Sequence, residues 1–189
     1  MKSAHVNLQR GPFLMPVWLT GIAAFALFSV AVLAALVWFT ANSTTVIVIR
    51  HAEKESVGEP DPALSEAGQA RAMLLVRMFG EAQGAGRLDA IYVSPTLRSR
   101  ATAAPLAAQL GLKPMVAPAD DPKALAHRAL RENSGKRVMI VGHSNTVPAL
   151  VAILSGREDI PKMDEHDFST MYIVTVPRIG RANALRLSY

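Results

Sequence analysis

Residues 46–54 read VIVIRHAEK. Four aliphatic residues in succession are typical of a strand that is buried on both faces, as in a parallel sheet. A continuous run of β-branched residues begins at Thr44 and ends at Ile49, and Arg50 and His51 follow it directly. This stretch therefore predicts a central strand whose carboxyl end carries chemically active side chains.

Segments with strand and helix patterns alternate along the rest of the chain. Ser65 is suited to cap one helix, and Gly111 is suited to end another. Strands that alternate with helices predict an α/β three-layer fold with a mostly parallel sheet, and Pro177 and Gly180 favour a terminal hairpin. Further strands are predicted at 90–93, 115–117, 138–141, 171–176 and 184–187, and helices at 65–83, 96–110, 122–132 and 146–154.

Length and composition exclude several classes of protein. The chain has 189 residues, half of them apolar, which suits one domain of ordinary size with an appendage. It has no cysteine, so disulfides, thiolate metal sites and a thiol nucleophile are excluded. The formal charge of +5 is small, and the basic residues are scattered along the chain. Nucleic-acid binding is therefore not expected.

The first 40 residues contain a candidate membrane segment. The run from Pro16 to Phe39 has no charged residue, and a bilayer is crossed by about 20 apolar residues in a helix. Trp18 and Trp38 lie near its ends, where indole rings favour the membrane interface. A cleaved signal peptide is the alternative, but its apolar region is typically about 7–15 residues, and a cut after Ala41 would place the bulky Phe39 at −3. We therefore expect a retained, single-pass signal anchor over residues 14–40.

The charges that flank this segment predict its orientation. Lys2 and Arg10 lie in a short basic segment, residues 1–13, which the positive-inside tendency keeps in the cytoplasm. Residues 44–189 would then lie on the far side, which is the periplasmic face of the inner membrane in a bacterium. The linker from Ala41 to Ser43 is short, so the domain should lie close to the membrane.

Polar residues follow three of the predicted strands at their carboxyl ends. They occur at 50–51, 94–98 and 143–145. In open α/β sheets, ligands bind beyond these strand ends. We therefore expect the three groups of side chains to meet at one edge of the sheet.

These residue types suit an anion. Arg50 and Arg98 offer forked donors for phosphate oxygens, His143 can donate another hydrogen bond, and helix N-termini add positive partial charge. His51 is then either one more ligand of the anion or a nucleophile, because a neutral imidazole can attack phosphorus. Phosphoryl transfer depends mainly on positioning and charge stabilisation, which two guanidinium groups can supply without a metal ion.

At this point four motifs resemble those of one family. Arg50-His51-Ala52-Glu53 is similar to the Arg-His-Gly-Glu signature of the histidine phosphatase superfamily, which includes the cofactor-dependent phosphoglycerate mutases. The segments LSEAG at 64–68, SPTLRSRATA at 94–103 and GHSN at 142–145 resemble its other conserved elements in order and spacing. The resemblance covers about residues 44–154 and implies a phosphoglycerate mutase-like fold.

The resemblance also implies roles for individual residues. His51 would be the nucleophile that accepts the phosphoryl group, and Arg50, Arg98 and His143 would bind that group. Hydrolysis of the phosphohistidine would complete the cycle, with no cofactor or metal ion. Glu53 would orient the pocket. Asp120 is the candidate general acid; its neighbour Asp121 lies in the same region, but Asp121-Pro122 also has the pattern of a helix N-cap.

Three departures from the family pattern favour a small phosphatase over a mutase. Ala52 replaces the usual glycine, which is tolerable if the backbone there has no positive φ. Val57 stands where the mutase signature has asparagine. Only about 27 residues separate Leu110 from Val138, too few for the large insert that covers the substrate of sugar-phosphate mutases.

The sequence leaves several functions open. The leading hypothesis is a membrane-anchored phosphatase that hydrolyses a phosphorylated sugar, lipid head group or other envelope component. A phosphohistidine phosphatase that acts on signalling proteins would need a cytoplasmic domain. A catalytically silent phosphate-binding or scaffold module also remains open, because the general acid is unassigned. A metallohydrolase finds little support, since no HExxH or comparable ligand spacing occurs. The oligomeric state is not predicted.

Overall fold

The computed structural model describes residues 17–55, 60–81 and 84–189. The predicted basic segment 1–13, with Lys2 and Arg10, lies outside the described residues, and so does Val57. By contact density the chain divides into two compact units, Met1–Trp38 and Phe39–Tyr189.

The described part of the N-terminal unit belongs to an apolar helix, α1, which spans Val17–Ala41. The part from Trp18 to Trp38 has a mean hydropathy of 2.4 over its most apolar window and is long enough to cross a membrane. Both tryptophan side chains and the apolar residues between them are exposed in the isolated helix. A helix that is apolar on all sides requires an apolar environment, which suits either a membrane anchor or a signal sequence.

The second unit contains a six-stranded sheet with helices on both faces. The strands follow the order β3-β2-β4-β1-β5-β6, which places β1 near the middle. The strands are β1 Thr44–Arg50, β2 Ala90–Val93, β3 Met115–Val116, β4 Arg137–Gly142, β5 Thr170–Val176 and β6 Asn183–Ser188. The helices are α2 Glu66–Phe79, α3 Leu97–Leu110, α4 Pro122–Glu132 and α5 Thr146–Ser155, with a short 3₁₀ turn at Gly84–Gly86.

The sheet is mixed. Strands β3, β2, β4 and β1 are parallel, with Thr45 opposite Arg137 and Arg50 opposite Gly142 in the β1–β4 register. Strand β5 runs antiparallel to β1, and β6 runs antiparallel to β5. The short connection at 177–182 allows only an antiparallel pair. The predicted three-layer α/β fold and terminal hairpin are confirmed, and the parallel part of the sheet is the part formed by βα units.

The apolar run of β1 is buried because both faces of the sheet are covered. Val46 and Val48 pack into a core with α4 and α5, whereas Ile47 and Ile49 pack into a second core with α2 and α3. Alternate side chains of a strand point to opposite faces, so a central strand needs apolar residues at every position.

Most predicted boundaries hold to within one or two residues. Ser65 caps α2, since its side chain accepts a hydrogen bond from Gly68 N, and Gly111 ends α3 with a left-handed φ of 64°. For the helix predicted at 65–83, the predicted end near residue 83 is wrong. Helix α2 ends at Phe79 with Gly80 as its C-cap, because glycine stabilises a helix interior poorly.

Candidate active site

The carboxyl ends of β2, β4 and β1 lie side by side because these strands are parallel neighbours in the sheet. Beyond them is an open cleft of about 820 Å³. The cleft is lined by all five residues predicted for the site: Arg50, His51, Arg98, Asp120 and His143. The structure thus brings the predicted side chains together, while their roles in catalysis remain predictions.

The ring of His51 has a defined orientation. Its Nδ1 lies 2.8 Å from the main-chain oxygen of Ala52, and a carbonyl oxygen only accepts, so Nδ1 carries the proton. Nε2 therefore has the lone pair. Arg98 Nε donates to this Nε2 at 3.3 Å. Only 4% of the His51 residue is exposed, and its unprotonated nitrogen is held beside a guanidinium group.

Ala52, which follows the histidine, is held by helix α3. Its N–H donates to Thr102 Oγ1 at 2.9 Å, and the same hydroxyl donates to the main-chain oxygen of Arg98 at 2.8 Å. Among the described residues only glycines have a positive φ, so Ala52 meets no backbone strain. The substitution of alanine for the family's glycine is therefore tolerated, as predicted, and Thr102 links the His51 turn to the helix that carries Arg98.

Glu53 is held by helix α2. Arg71 donates to the Glu53 carboxylate through Nε at 2.9 Å and through Nη2 at 2.7 Å. The Ser65 N–H donates to the main-chain oxygen of Glu53 at 3.0 Å. A Cβ on Gly68 would lie 2.0 Å from that oxygen, so only glycine allows α2 to approach this closely. The LSEAG segment therefore packs against the turn that carries His51.

His143 lies against the ring of His51, with ring centroids 5.2 Å apart at an angle of 64°. Its Nε2 is 2.9 Å from Ser94 Oγ, and Ser94 in turn donates to Ser99 Oγ at 2.8 Å. The Ser94 hydroxyl can therefore accept a hydrogen bond from Nε2 and orient the ring. Our sequence analysis quoted Ser94 within a motif but assigned it no role.

Arg50 is almost fully buried, with 6% of the residue exposed. Its Nη1 donates to the main-chain oxygens of Asp164, Glu165 and Asp167, the shortest distance being 2.6 Å to Glu165. Its guanidinium carbon lies 4.1 Å from the ring centroid of Phe168. Arg50 Nε is buried and has no hydrogen-bond partner among the described residues. Such a donor suits an anion bound in the cleft.

The segment 164–168 was missed in the sequence analysis. It lies in the irregular connection between α5 and β5, and its contacts to Arg50 are made by the main chain rather than by side chains. Main-chain contacts leave no residue-type signal in a sequence, so no pattern could have revealed them.

Burial and the positive charges nearby lower the pKa of both histidines. Burial lowers the pKa of His51 to about 4, and the charges of His143, Arg50 and Arg98 act in the same direction. The hydrogen bond to the main-chain oxygen of Ala52 acts in the opposite direction. Burial and the two guanidinium groups also lower the pKa of His143, against the opposite effect of Asp61. The His51 ring is therefore neutral near pH 7, as a nucleophile must be.

The two neighbouring acids of the sequence prediction are separated by the structure. Asp121 Oδ1 accepts from Ala124 N at 2.8 Å and caps α4, whereas Asp120 lines the cleft. Glu55 and Glu165 also line the cleft. The cleft therefore holds more than one carboxylate that could transfer a proton, and geometry alone favours Asp120 over Asp121.

The cleft provides donors for an anion rather than ligands for a metal ion. Over residues 17–55, 60–81 and 84–189, no group of three or more His, Asp or Glu side chains is arranged to hold a metal. Two guanidinium groups and two imidazoles line the cleft instead.

A family model for the histidine phosphatase superfamily (branch 1) matches residues 46–119. The matched segment contains Arg50, His51 and Arg98, and it ends before His143. No curated protein matches the chain in sequence. The family-model match shows that this segment is similar to the histidine phosphatase superfamily, in agreement with the motifs at Arg50-His51 and at 94–103.

Solved structures share the fold of the second unit at low sequence identity. The protein histidine phosphatase SixA complexed with tungstate has 20% identity and a TM-score of 0.62, over 76% of this chain and 96% of that one. A mycobacterial glucosyl-3-phosphoglycerate phosphatase has 16% identity and a TM-score of 0.53, over 75% and 97%. A phosphoglycerate mutase from Plasmodium falciparum has 12% identity and a TM-score of 0.57, over 78% and 94%.

Proposed function

We propose that the protein is a metal-independent phosphatase that hydrolyses a phosphomonoester through a phosphohistidine on His51. The observation that carries the proposal is the orientation of His51. The bond from Nδ1 to Ala52 O leaves the lone pair on Nε2, and Arg98 Nε lies 3.3 Å from that atom. A nucleophile next to a phosphate-binding donor is the arrangement that phosphoryl transfer requires.

In the first step, Nε2 of His51 attacks phosphorus as the bond from phosphorus to the leaving oxygen breaks. Arg98 and Arg50 donate to oxygens of the transferred group and stabilise their charge, and His143 donates from Nδ1 as well when the negative charge of the bound group keeps its ring protonated. Asp120, in its protonated form, gives its proton to the leaving oxygen. The products of this step are the free alcohol and phosphohistidine.

In the second step, a water molecule attacks the phosphohistidine. The Asp120 carboxylate takes a proton from the water as the N–P bond breaks, and the lone pair returns to Nε2. Inorganic phosphate leaves, and His51 and Asp120 regain the states in which they started. The bond from Nδ1 to Ala52 persists through the cycle and keeps the ring in one tautomer.

The nucleophile is tested by hydrolysis of p-nitrophenyl phosphate with the full chain in detergent micelles. His51→Asn should lower kcat by about a thousandfold or more, because the covalent route is lost. His166→Asn is the matched control, since His166 also lines the cleft but its side chain is 95% exposed. Equal rates for His51→Asn and the wild-type protein would refute the proposal.

The general acid is tested by comparing leaving groups. An aryl oxide leaves without a proton near neutral pH, whereas an alkoxide needs one. Asp120→Asn should therefore lower kcat/KM for an alkyl phosphate far more than for p-nitrophenyl phosphate. If Glu165→Gln shows this selective loss and Asp120→Asn does not, the acid is Glu165 and our assignment is wrong.

We also propose that α1 is a retained anchor and that the phosphatase domain lies on the periplasmic side. The length and hydropathy of Trp18–Trp38 support a membrane span. The charges of Lys2 and Arg10 support a cytoplasmic N-terminus. A substrate in the envelope, such as a phosphorylated sugar or lipid head group, follows from this location alone. A C-terminal reporter active only in the periplasm tests the orientation, and the N-terminal sequence of the membrane-bound protein tests retention of α1.

A phosphohistidine phosphatase of signalling proteins is the second candidate. The open cleft favours it, since the connection between α3 and β4 contains only β3 and α4 and adds no large segment that could cover the site. Activity of a cytoplasmic reporter would favour this function over the envelope substrate. A catalytically silent module would show phosphate binding without turnover of any phosphomonoester.

A further inference from the structure

Asp61 contacts the catalytic arginine from outside the cleft. It lies on the connection between β1 and α2, and its side chain is 44% exposed. One carboxylate oxygen accepts from Arg98 Nη1 at 3.2 Å. The other oxygen accepts from the main-chain N–H of Leu97, at the start of α3, at 2.8 Å. A single carboxylate thus joins the helix start to the guanidinium group.

The two ends of the Arg98 guanidinium group have different partners. Nε donates toward His51 Nε2 at 3.3 Å, while Nη1 is taken by Asp61. In a planar guanidinium, the Nε–H lies on the same side as Nη2, and these two donors form the edge that binds an oxyanion side-on. With Nη1 held by Asp61, this Nε–Nη2 edge faces His51, where the phosphoryl group would be transferred.

We propose that Asp61 is a positioning residue that holds Arg98 with its side-on edge toward the phosphoryl group. The inference rests on the proposed function and extends it to a residue that does not touch the substrate. The bond from Leu97 N fixes the carboxylate relative to α3, so Asp61 orients Arg98 against the backbone of its own helix. An arginine without this restraint would have more rotamers and fewer productive contacts.

Two other roles for Asp61 give different results. If Asp61 served only to cap α3, its loss would lower stability without a specific effect on catalysis. If its negative charge only weakened anion binding by repulsion, its removal would tighten phosphate binding and raise kcat/KM. A positioning role predicts weaker phosphate binding and slower turnover in a folded protein.

Asp61→Asn is the variant that separates these roles. Its amide oxygen can still accept from Leu97 N, so the cap is kept, while the charge and the second accepting oxygen are lost. Asp121→Asn is the matched control, because the Asp121 carboxylate also accepts from a main-chain N–H at the start of a helix, α4, and has no hydrogen bond to Arg98 or His51 among the described residues. The measurements, on the full chain in detergent, are urea unfolding, kcat and KM for p-nitrophenyl phosphate, and the Kd of inorganic phosphate.

We expect Asp61→Asn to lower kcat about tenfold and to weaken phosphate binding about threefold to tenfold, which is the scale for a misplaced binding group. Asp121→Asn should leave both values within twofold of the wild type. Unchanged or improved phosphate binding and turnover in Asp61→Asn would overturn the inference, as would equal losses in the two variants.

The phosphate measurement keeps this inference separate from the proposed function. If the wild-type protein binds phosphate but hydrolyses no phosphomonoester, the phosphatase proposal fails, and the Kd of Asp61→Asn still decides whether Asp61 positions Arg98. If the wild-type protein binds no phosphate, both proposals are refuted.

Discussion

Lowering the pH should destabilise the domain through His51. The ring is buried between His143 and two guanidinium groups, and burial and these neighbours lower its pKa from the usual 6.5 to about 4. Between these two values, the unfolded chain binds a proton at this residue and the folded domain does not. Stability is therefore fully present above pH 6.5 and is lost as the pH falls toward 4.

The size of the effect follows from the same two pKa values. The difference between 6.5 and about 4 corresponds to about 3 kcal/mol of unfolding free energy. Most of this, about 2 kcal/mol, should be lost between pH 7 and pH 4.5. His143 acts in the same direction, because burial and the guanidinium charges lower its pKa as well. The wild-type loss should therefore exceed the contribution of His51 alone.

Urea unfolding at pH 7 and pH 4.5, followed by far-ultraviolet circular dichroism, measures this loss. His51→Asn should lose about 2 kcal/mol less than the wild type over this interval, because the titrating ring is absent. His166→Asn controls for the removal of a histidine as such, since that side chain is 95% exposed. An equal loss in the wild type and in His51→Asn would refute the reasoning.

Three further predictions concern the contacts around the His51 turn. Gly68→Ala should destabilise the domain by about 1–3 kcal/mol, because a Cβ would lie 2.0 Å from Glu53 O and this clash outweighs the gain in helix propensity; a rise in the urea midpoint would contradict it. Thr102→Val should cost about 1–3 kcal/mol in urea unfolding by leaving the buried Ala52 N–H unpaired, whereas Thr102→Ser should not. Burial raises the pKa of Glu53 but hydrogen bonds from Arg71 lower it overall, so Arg71→Met should cost about 1–2 kcal/mol at pH 7 and less at pH 3.5, where an unchanged cost would argue against the ion pair.

The sequence predicts those residues of the candidate site that closely follow the carboxyl end of a strand. Arg50, His51, Arg98 and His143 each lie within a few residues of a parallel strand's carboxyl end, and neighbouring parallel strands place these ends at one edge. Asp120 follows β3 in the same way and also lines the cleft. The positions of these side chains are predictable because each lies only a few residues after a strand.

The contacts that hold these side chains could not be predicted in the same way. Asp61, Phe168 and Arg71 reach the site from connections or helices that are distant in sequence. The main-chain oxygens that bind Arg50 carry no residue-type signal at all. Which side chain meets which partner depends on how the elements pack, and packing distances are not encoded in local patterns.

The sequence by itself determined the α/β alternation, the buried central strand and the four motifs that resemble those of the histidine phosphatase superfamily. Those features depend on backbone propensity and on the spacing of apolar residues, which are local. Only the tertiary structure decided that β5 pairs antiparallel with β1, that Asp121 is a helix cap while Asp120 lines the cleft, and that the lone pair of His51 lies on Nε2. These outcomes depend on distances between atoms that only the packed chain brings together.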